Sequence, residues 1–131
     1  MSTQSQIRIA RVYDAPTPAD GARLLVDRLW PRGLSKSRLH YDAWLPDVAP
    51  STRLRKWFGH DPKKWDGFRE RYIDELAAGS DDLWRCMEWT RRGSVTLLYA
   101  AADRDRNNAV VLRDYLSQLP GRAERPRKDS E

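Results

Sequence analysis

The sequence predicts an α/β sandwich built on a small, partly parallel sheet. The main observation is VTLLYAA, residues 95–101, a continuous apolar run of strand length that begins with Val and Thr. Such a run is typical of a central strand that is covered on both faces. Strand patterns also occur near the start of the chain, and several helical patterns separate them from this run. This order of elements favours an α/β domain.

Two strands are predicted before residue 30. IRIARVY, residues 7–13, alternates Ile and Val with Arg and Ala at a period of two, which indicates a half-buried strand. RLLVDRL, residues 23–29, is more continuously apolar at its start and follows DAPTPADG, a run of turn-forming residues. The two strands form either an antiparallel hairpin or a parallel pair, and the sequence leaves both arrangements open.

A long loop and a short helix are predicted next. Residues 34–50 have weak periodicity and contain two prolines, so we expect a loop with a short helix or strand at 41–45. Long connections in small domains are often functional. Ser51 is a capping residue for a helix over 52–58, and Gly59 marks its end.

Three further helices are predicted. Asp61 and Pro62 supply a cap and a first-turn proline for the first, and residues 81–93 and 109–119 form the other two. Apolar residues at helical spacing give each helix one inward face. These faces carry Trp65, Phe68, Tyr72, Ile73 and Leu76 in the first helix, Leu83, Trp84 and Met87 in the second, and Leu112, Tyr115, Leu116 and Leu119 in the third.

The 131 residues fit a single domain, which we place at 7–119 with disordered tails at 1–6 and 120–131. No stretch approaches the roughly 18 consecutive apolar residues of a membrane span, and the N-terminus lacks the apolar run of a signal peptide. We therefore expect a cytoplasmic protein. The single cysteine, Cys86, excludes an intramolecular disulfide and a multi-cysteine zinc site, so a hydrophobic core must hold the fold.

The net charge of +5 is concentrated in the first half of the chain. Residues 23–56 carry eight Lys or Arg and three Asp, whereas the rest of the chain is balanced. This excess favours phosphates or other anions as partners. The alternative is that a mildly basic protein uses the charge for solubility alone.

Polar residues gather where two of the predicted strands end. They are Asp27, Arg28, Trp30, Arg32 and Gly33 after the second strand, and Asp103, Asn107 and Asn108 after VTLLYAA. Because open α/β sheets bind ligands at the carboxyl ends of their strands, we expect these two groups to line one concavity. The sequence therefore predicts a composite ligand site.

The residues of DRLWPRG support two interpretations. Arg28 and Arg32 suit bidentate contact with phosphate or carboxylate, and Gly33 lets the backbone approach an anion closely. Alternatively, Asp27 pairs with one of the arginines and locks the loop. Trp30 either stacks on a ligand ring or fills the underside of the loop.

His60 and Asp61 are the best candidates for an acid–base pair. An imidazole transfers protons near neutral pH, and a neighbouring carboxylate orients it. Asp61 is also the predicted helix cap, which competes with that role. Asp27 is the other candidate catalytic carboxylate.

No metal or cofactor is expected. The two histidines, His40 and His60, stand in separate segments, and no H-x-x-x-H or H-E-x-x-H pattern occurs. The chain contains no Walker loop, no G-x-G-x-x-G and no G-x-S-x-G. The commonest ATPase, dinucleotide-binding and serine-hydrolase classes are thereby excluded.

Four motifs in order resemble the DUF488 family, in particular its YeaO-like branch, over residues 7–119. They are DRLWPRG, DAWLPDVAPS, LRKWFGHDPKKWDGFRERY and VTLLYAAADRDRNNAVVLRDYL. The resemblance implies a small Rossmann-like α/β domain, a three-layer sandwich with a mostly parallel or mixed sheet, and carries no known reaction. Other branches of the family have cysteines near the end of the strand and the start of the following helix. Here these places hold Tyr99, Ala100 and Asn107, which argues against cysteine-based chemistry.

Two classes of function follow from the sequence. The first is a small enzyme acting on a phosphate-bearing ligand such as a nucleotide or nucleic-acid derivative, with arginines on the anion and His60 or Asp27 moving a proton. The second is a non-catalytic module that binds nucleic acid or another acidic partner through the basic first half. Mixed charges converging in one cleft favour the enzyme, whereas a basic stripe favours the module.

Overall fold

The computed structural model describes residues 6–119. Its strands are β1 (Ile7–Arg11), β2 (Ala22–Leu25), β3 (Ala43–Trp44) and β4 (Val95–Tyr99), and its α-helices are α1 (Thr52–Phe58), α2 (Trp65–Ala78), α3 (Asp81–Arg92) and α4 (Asn108–Gln118). Short 3₁₀ turns occur at Pro18–Asp20, Pro46–Val48 and Pro62–Lys64. The predicted α/β class is confirmed.

The sheet has the order β1-β4-β2-β3, and every strand pair is parallel. The last strand in the chain, β4, lies between the first two, which do not pair with each other. The hairpin alternative for β1 and β2 is therefore wrong. All five residues of β4 are buried, and the prediction that this run forms the centre of the sheet is confirmed.

The two faces of the sheet are covered differently. Side chains such as Leu24 and Leu97 pack with core residues from all four α-helices. On the opposite face, Leu25 and Leu98 pack against Leu39 and the aromatic residues of the loop after β2. The three layers are thus helices, sheet and an irregular segment, which explains how the long loop buries apolar surface without regular structure.

The second strand is shorter than the predicted range of 23–29. It ends at Leu25, although the Val26 amide still donates to the Leu98 carbonyl at 3.1 Å. One residue later the Asp27 side chain, not its backbone, accepts the Ala100 amide at 2.9 Å. A side-chain acceptor replaces the next bond of the ladder, so the backbone is released into the loop.

The predicted end of α1 and the predicted start of the next helix are largely confirmed. Ser51 Oγ accepts the Leu54 amide at 3.1 Å, and Gly59 ends the helix in the left-handed conformation. Asp61 accepts the Lys63 amide at 3.0 Å, as a cap should. The element that Asp61 begins is a single 3₁₀ turn, and α2 starts only at Trp65.

The predicted inward faces are confirmed in part. In α2, Phe68, Tyr72 and Leu76 are buried, whereas Trp65 and Ile73 are half-buried. In α3, Trp84 is only half-buried, and Asp82 and Cys86 are buried beside Leu83 and Met87. Leu112 and Leu116 are buried in α4.

Arg23 does not contribute to the basic surface that the charge count suggested. It is 6% exposed, and its guanidinium pairs with Asp20 and donates to the His40 carbonyl. Its amide donates to the Asp42 carboxylate at 2.8 Å. These partners satisfy a charge whose burial would otherwise be costly, so Arg23 is structural.

The predicted tails at 1–6 and 120–131 lie outside the described residues apart from Gln6, whose carbonyl accepts the Val95 amide at 2.9 Å. Within residues 6–119, no helix is long and apolar enough to cross a membrane.

Replacing Gly21 with Ala should destabilise the fold strongly. Gly21 has a φ of +65°, and an added Cβ would lie 2.2 Å from the Ser94 carbonyl oxygen, a backbone atom next to β4. We expect a loss of at least about 2 kcal/mol in urea unfolding, because backbone cannot move aside cheaply. Gly33→Ala is the matched control. Gly33 has a φ of +79° but open space around it, so only the strain of about 1–2 kcal/mol applies. Equal losses in the two variants would contradict the steric argument.

Removing the cap at Asp61 should cost about 0.5–2 kcal/mol in the same measurement, because Asp61→Ala leaves the Lys63 amide without its acceptor. Asp74→Ala, an exposed position inside α2, should stay within about 0.5 kcal/mol of the parent. A stability loss shared by both variants would show that the cap is not the cause.

Candidate functional site

A cavity of about 530 Å³ opens at the carboxyl edge of the sheet. Its wall includes the residues that follow β2 and β4, the N-terminus of α4 and one side of α1. Parallel pairing brings the carboxyl ends of neighbouring strands to one edge, which explains why segments distant in sequence meet here. The volume lies in the ordinary range of small-molecule sites.

Seven of the ten predicted site residues line this cavity. They are Asp27, Arg28, Trp30, Arg32, His60, Asn107 and Asn108. Gly33, Asp61 and Asp103 are not among the lining residues. Members of both strand-end groups thus line one concavity, as the sequence predicted, but Gly33 and Asp103 of these groups do not.

Asp27 is held at the junction of β2, β4 and α4. Its Oδ2 accepts the Ala100 amide at 2.9 Å, and its Oδ1 accepts the Asn108 Nδ2 at 3.1 Å. Its carbonyl accepts the Trp44 indole N–H at 2.8 Å. Burial raises the pKa of the Asp27 carboxyl above its usual value, and the two hydrogen bonds and the charge of Arg55 offset that rise in part.

Arg28 serves the loop more than the cavity. Its Nε donates to the Pro50 carbonyl at 3.1 Å and its Nη2 to the Ala49 carbonyl at 3.2 Å. Its Nη1 lies 3.4 Å from an Asp47 carboxylate oxygen. In the alternative interpretation, Asp27 pairs with an arginine and locks the loop. Its carboxylate oxygens instead accept the Ala100 amide and the Asn108 side chain. Arg28 therefore clamps the start of its loop to the segment before α1.

Trp30 combines packing with exposure to the cavity. Its ring meets Tyr41 and Trp44 edge-on, with centroid distances of 5.3 and 5.4 Å. Its indole N–H donates to the Leu34 carbonyl at 2.6 Å. These contacts fix the ring in the loop layer, so one part of it supports the fold while another lines the wall.

The turn after β4 is organised by its own side chains. Asp103 accepts the amides of Asp105 and Arg106 at 2.9 and 3.0 Å, which keeps its carboxylate out of the cavity lining. Asn107 caps α4 by accepting the Val110 amide at 3.0 Å. Asn108 donates to the Val26 carbonyl at 3.0 Å as well as to Asp27. Both asparagines are therefore structural as well as cavity-lining.

Two other predicted site residues serve the backbone. Gly33 has a φ of +79°, which explains the need for glycine in the turn without reference to an anion. Asp61 uses Oδ1 to cap the 3₁₀ turn after His60. Among the described residues, no hydrogen bond or ion pair joins Asp61 to the His60 imidazole, as the predicted acid–base pair requires.

His60 lies at the cavity wall with a strained backbone. It is the only non-glycine residue in 6–119 with a positive φ, +57°, and it directly follows the left-handed Gly59. Two successive left-handed residues turn the chain sharply between α1 and the next turn. Its ring is tilted against Phe58, with the centroids 6.1 Å apart. A residue held in this conformation at a cavity is a reasonable functional candidate.

Four cations besides Arg28 line the cavity: Arg32, Arg55, Lys56 and Arg106. Arg55 and Lys56 come from α1, which contains no acidic residue. Arg106 lies 3.9 Å from Asp103, a loose ion pair. Arg55 and Lys56 belong to the basic region 23–56, but the predicted site did not include them. The one available signal was a basic helix close in sequence to His60.

The apolar part of the wall includes aromatic residues, one of which, Phe68, the sequence assigned to an inward helix face. Phe58 and Phe68 stack with their centroids 4.3 Å apart, and both reach the cavity. Tyr13 donates its hydroxyl to the Arg32 carbonyl at 3.0 Å, tying the loop to the end of β1. Leu29, 62% exposed, stands among the lining residues. The cavity is thus lined by both cations and apolar surface.

An ion pair braces the same edge of the sheet. Asp14, after β1, accepts two hydrogen bonds of 2.9 Å from Arg104, after β4. The Arg104 guanidinium beside it lowers the pKa of the Asp14 carboxyl to about 2. The two strand ends next to the cavity are therefore held together by charge as well as by the ladder.

Other chemistry has little support within residues 6–119. Cys86 is free and buried in α3, and burial raises the pKa of its thiol to about 12, which removes the thiolate needed for nucleophilic attack. No group of three or more His, Cys, Asp or Glu in this part of the chain is placed to hold a metal ion. The cavity's own chemistry consists of cations, amide groups, one carboxylate and one imidazole.

The chain is similar to one protein family and to several uncharacterized bacterial proteins. The model of a family described as the inactive DUF488-N3 subclade matches residues 6–131. The uncharacterized protein YeaO of Escherichia coli is 42% identical over 113 residues, covering 86% of this chain and 98% of YeaO. The uncharacterized protein Rv3073c of Mycobacterium tuberculosis is 40% identical over 117 residues, covering 89% of this chain and 98% of that protein.

No solved structure matches the chain significantly. The match to the family model and the near-complete coverage of both relatives agree with the four motifs that the sequence displays. The chain therefore belongs to the DUF488 family.

Proposed function

We propose that this protein binds a small phosphate-bearing ligand of nucleotide size in the strand-end cavity and does not transform it. The observation that carries the proposal is a set of cations that line the cavity and have no hydrogen-bonded or ion-paired partner in the described part of the chain. Arg32, Arg55 and Lys56 make no side-chain hydrogen bond or ion pair to another residue within 6–119. The ligand is the one that the enzyme hypothesis names, a small phosphate-bearing molecule. As in the binding-module hypothesis, no reaction takes place.

The charge of the cavity favours an anion. Within residues 6–119, three unpaired cations, the loosely paired Arg106 and His60 line the cavity beside one carboxylate, Asp27. Arginine binds phosphate through paired hydrogen bonds, and a concave surface of one sign attracts the opposite charge. A small concave site of this kind suits a bounded ligand better than a long, exposed backbone track.

The apolar lining favours a ligand with a ring system. Phe58, Phe68 and Leu29 supply apolar wall beside the cations. Ligand sites generally combine such a wall with a few placed polar groups. The cavity volume of about 530 Å³ is large enough for a base and sugar together with a phosphate.

Three observations favour binding without turnover. Both Asp27 carboxylate oxygens accept fixed hydrogen bonds, and Asp61 is committed to its cap. Cys86 is buried away from the cavity. The matching family model describes its members as an inactive subclade, which agrees with binding without turnover.

Arg55→Ala should weaken binding of adenosine 5′-monophosphate by about 10- to 150-fold, since a charge-assisted hydrogen bond contributes roughly 1.5–3 kcal/mol. Isothermal titration calorimetry at physiological salt measures it, with ribose 5-phosphate and inorganic phosphate as further probes. Arg53→Ala is the matched control, because Arg53 is exposed on the same helix but does not line the cavity.

The outcomes separate the proposal from its rivals. Equal losses in both variants, together with tight binding of an oligonucleotide and a steep salt dependence, would favour a nucleic-acid track and overturn the proposal. Phosphorus NMR of the incubated ligand checks turnover. Conversion of the ligand that disappears in Asp27→Asn would restore the enzyme hypothesis.

His60→Gly should weaken ligand binding without lowering stability. Glycine relieves the strain of a positive φ, which offsets the extra chain entropy of the unfolded state, so the free energy of unfolding should stay within about 1 kcal/mol of the parent or rise. Urea unfolding and calorimetry with adenosine 5′-monophosphate measure the two effects. Unchanged affinity would remove His60 from the site.

A further inference from the structure

Asp27 places a fixed acceptor in an otherwise cationic cavity. Its two carboxylate oxygens are each held by one donor, the Ala100 amide and the Asn108 side chain. A carboxylate has about four acceptor positions, so two remain available beyond these bonds. Asp27 also lines the cavity, which makes its free acceptor capacity accessible to a bound ligand.

The structural hydrogen bonds of Asp27 leave two acceptor positions of its carboxylate unused. The Ala100 amide, just after β4, and the Asn108 side chain, in α4, each need an acceptor oxygen, which explains a carboxylate at this junction. Its burial is nonetheless unfavourable for the charge, because desolvation raises the pKa of the carboxyl despite both bonds. A ligand that presents a donor at this point would add the partner that the site lacks.

The cations that line the cavity come from several elements. Arg55 belongs to α1 and lies close enough to Asp27 to lower the pKa of its carboxyl. His60 follows α1, and Arg106 precedes α4. Asp103, 3.9 Å from Arg106, accepts two amides of its own turn and does not line the cavity. Asp27 is therefore the one carboxylate among the lining residues.

The carboxylate sets the orientation of an anionic ligand. A phosphate beside Asp27 would meet a like charge in a partly desolvated place, which is unfavourable. A phosphate near Arg106 and His60 meets positive charge instead. The part of the ligand next to Asp27 must then be uncharged or cationic, and it must donate a hydrogen bond, because an acceptor facing an apolar or acceptor group loses its water without compensation.

On this basis we infer that Asp27 is a specificity-determining residue that selects phosphate-bearing ligands with an N–H or O–H donor group away from the phosphate. The inference rests on the proposed function and narrows its ligand class. A ribonucleotide carries two such sources, the vicinal hydroxyls of its ribose and an exocyclic amine of its base. A simple phosphate ester of an apolar alcohol carries neither, and the site should reject it.

Calorimetry with three probes tests the inference and separates the two donor sources. Adenosine 5′-monophosphate has both the diol and the amine, its 2′,3′-dideoxy analogue lacks the diol, and purine riboside 5′-monophosphate lacks the amine. We expect the first to bind at least about tenfold more tightly than one of the analogues, since an unpaired buried acceptor is costly. The analogue that loses affinity identifies the donor.

Asp27→Asn assigns the preference to this side chain. The variant should reduce the affinity ratio between the favoured probe and the rejected analogue to less than about threefold. The reason is that the amide replaces one of the two acceptor oxygens with an NH2 donor. Asp42→Asn is the matched control. Asp42 also accepts a backbone amide, that of Arg23 at 2.8 Å, but it does not line the cavity, so its ratio should equal that of the parent.

Each result decides a different question. Equal affinity for all three probes overturns the inference and leaves the proposed function standing. A preference that persists in a folded Asp27→Asn variant also overturns it. If that variant fails to fold, equal affinities of the parent protein for the three probes still contradict the inference. Absence of adenosine 5′-monophosphate binding overturns it too, and the proposed function fails as well if ribose 5-phosphate and inorganic phosphate do not bind.

Discussion

The parallel pairing of β4 with both β1 and β2 is the constraint on which the rest of the structure depends. Because all pairs are parallel, the segments that follow these strands emerge at one edge of the sheet. For this reason the Asp27 side chain meets the Ala100 amide, and Asp14 after β1 meets Arg104 after β4. An antiparallel strand would send the segment that follows it to the other edge of the sheet, and the cavity would lose one of its walls.

The bonds that end the ladder also build the site. Asp27 takes over the Ala100 amide where backbone pairing stops, and Asn108 joins the same carboxylate to α4. Arg28 then clamps the departing loop to the segment before α1. The polar residues of DRLWPRG therefore have structural roles and also line the cavity, while ligand binding by Arg28 and Arg32 stays a prediction.

Net charge is a poor guide to where this protein presents positive charge. Arg23 is buried with Asp20, Arg28 donates to carbonyls, and Arg104 is held by Asp14. Arg55 and Lys56 line the cavity and remain without side-chain hydrogen bonds in the described part of the chain. Their position, and not the excess of +5, supports an anionic ligand.

The sequence by itself determined the local elements. The buried run of β4, the caps at Ser51 and Asp61 and the polar residues after β2 and β4 depend on neighbours a few positions away, so their patterns are legible in the chain. Only the tertiary structure decided that β4 separates β1 from β2, that α1 turns Arg55 into the cavity, and that Asp103 and Asp61 turn away from it. Strand order and the direction of a side chain depend on packing between segments distant in sequence, and residue type and period do not encode which distant segment will be the neighbour.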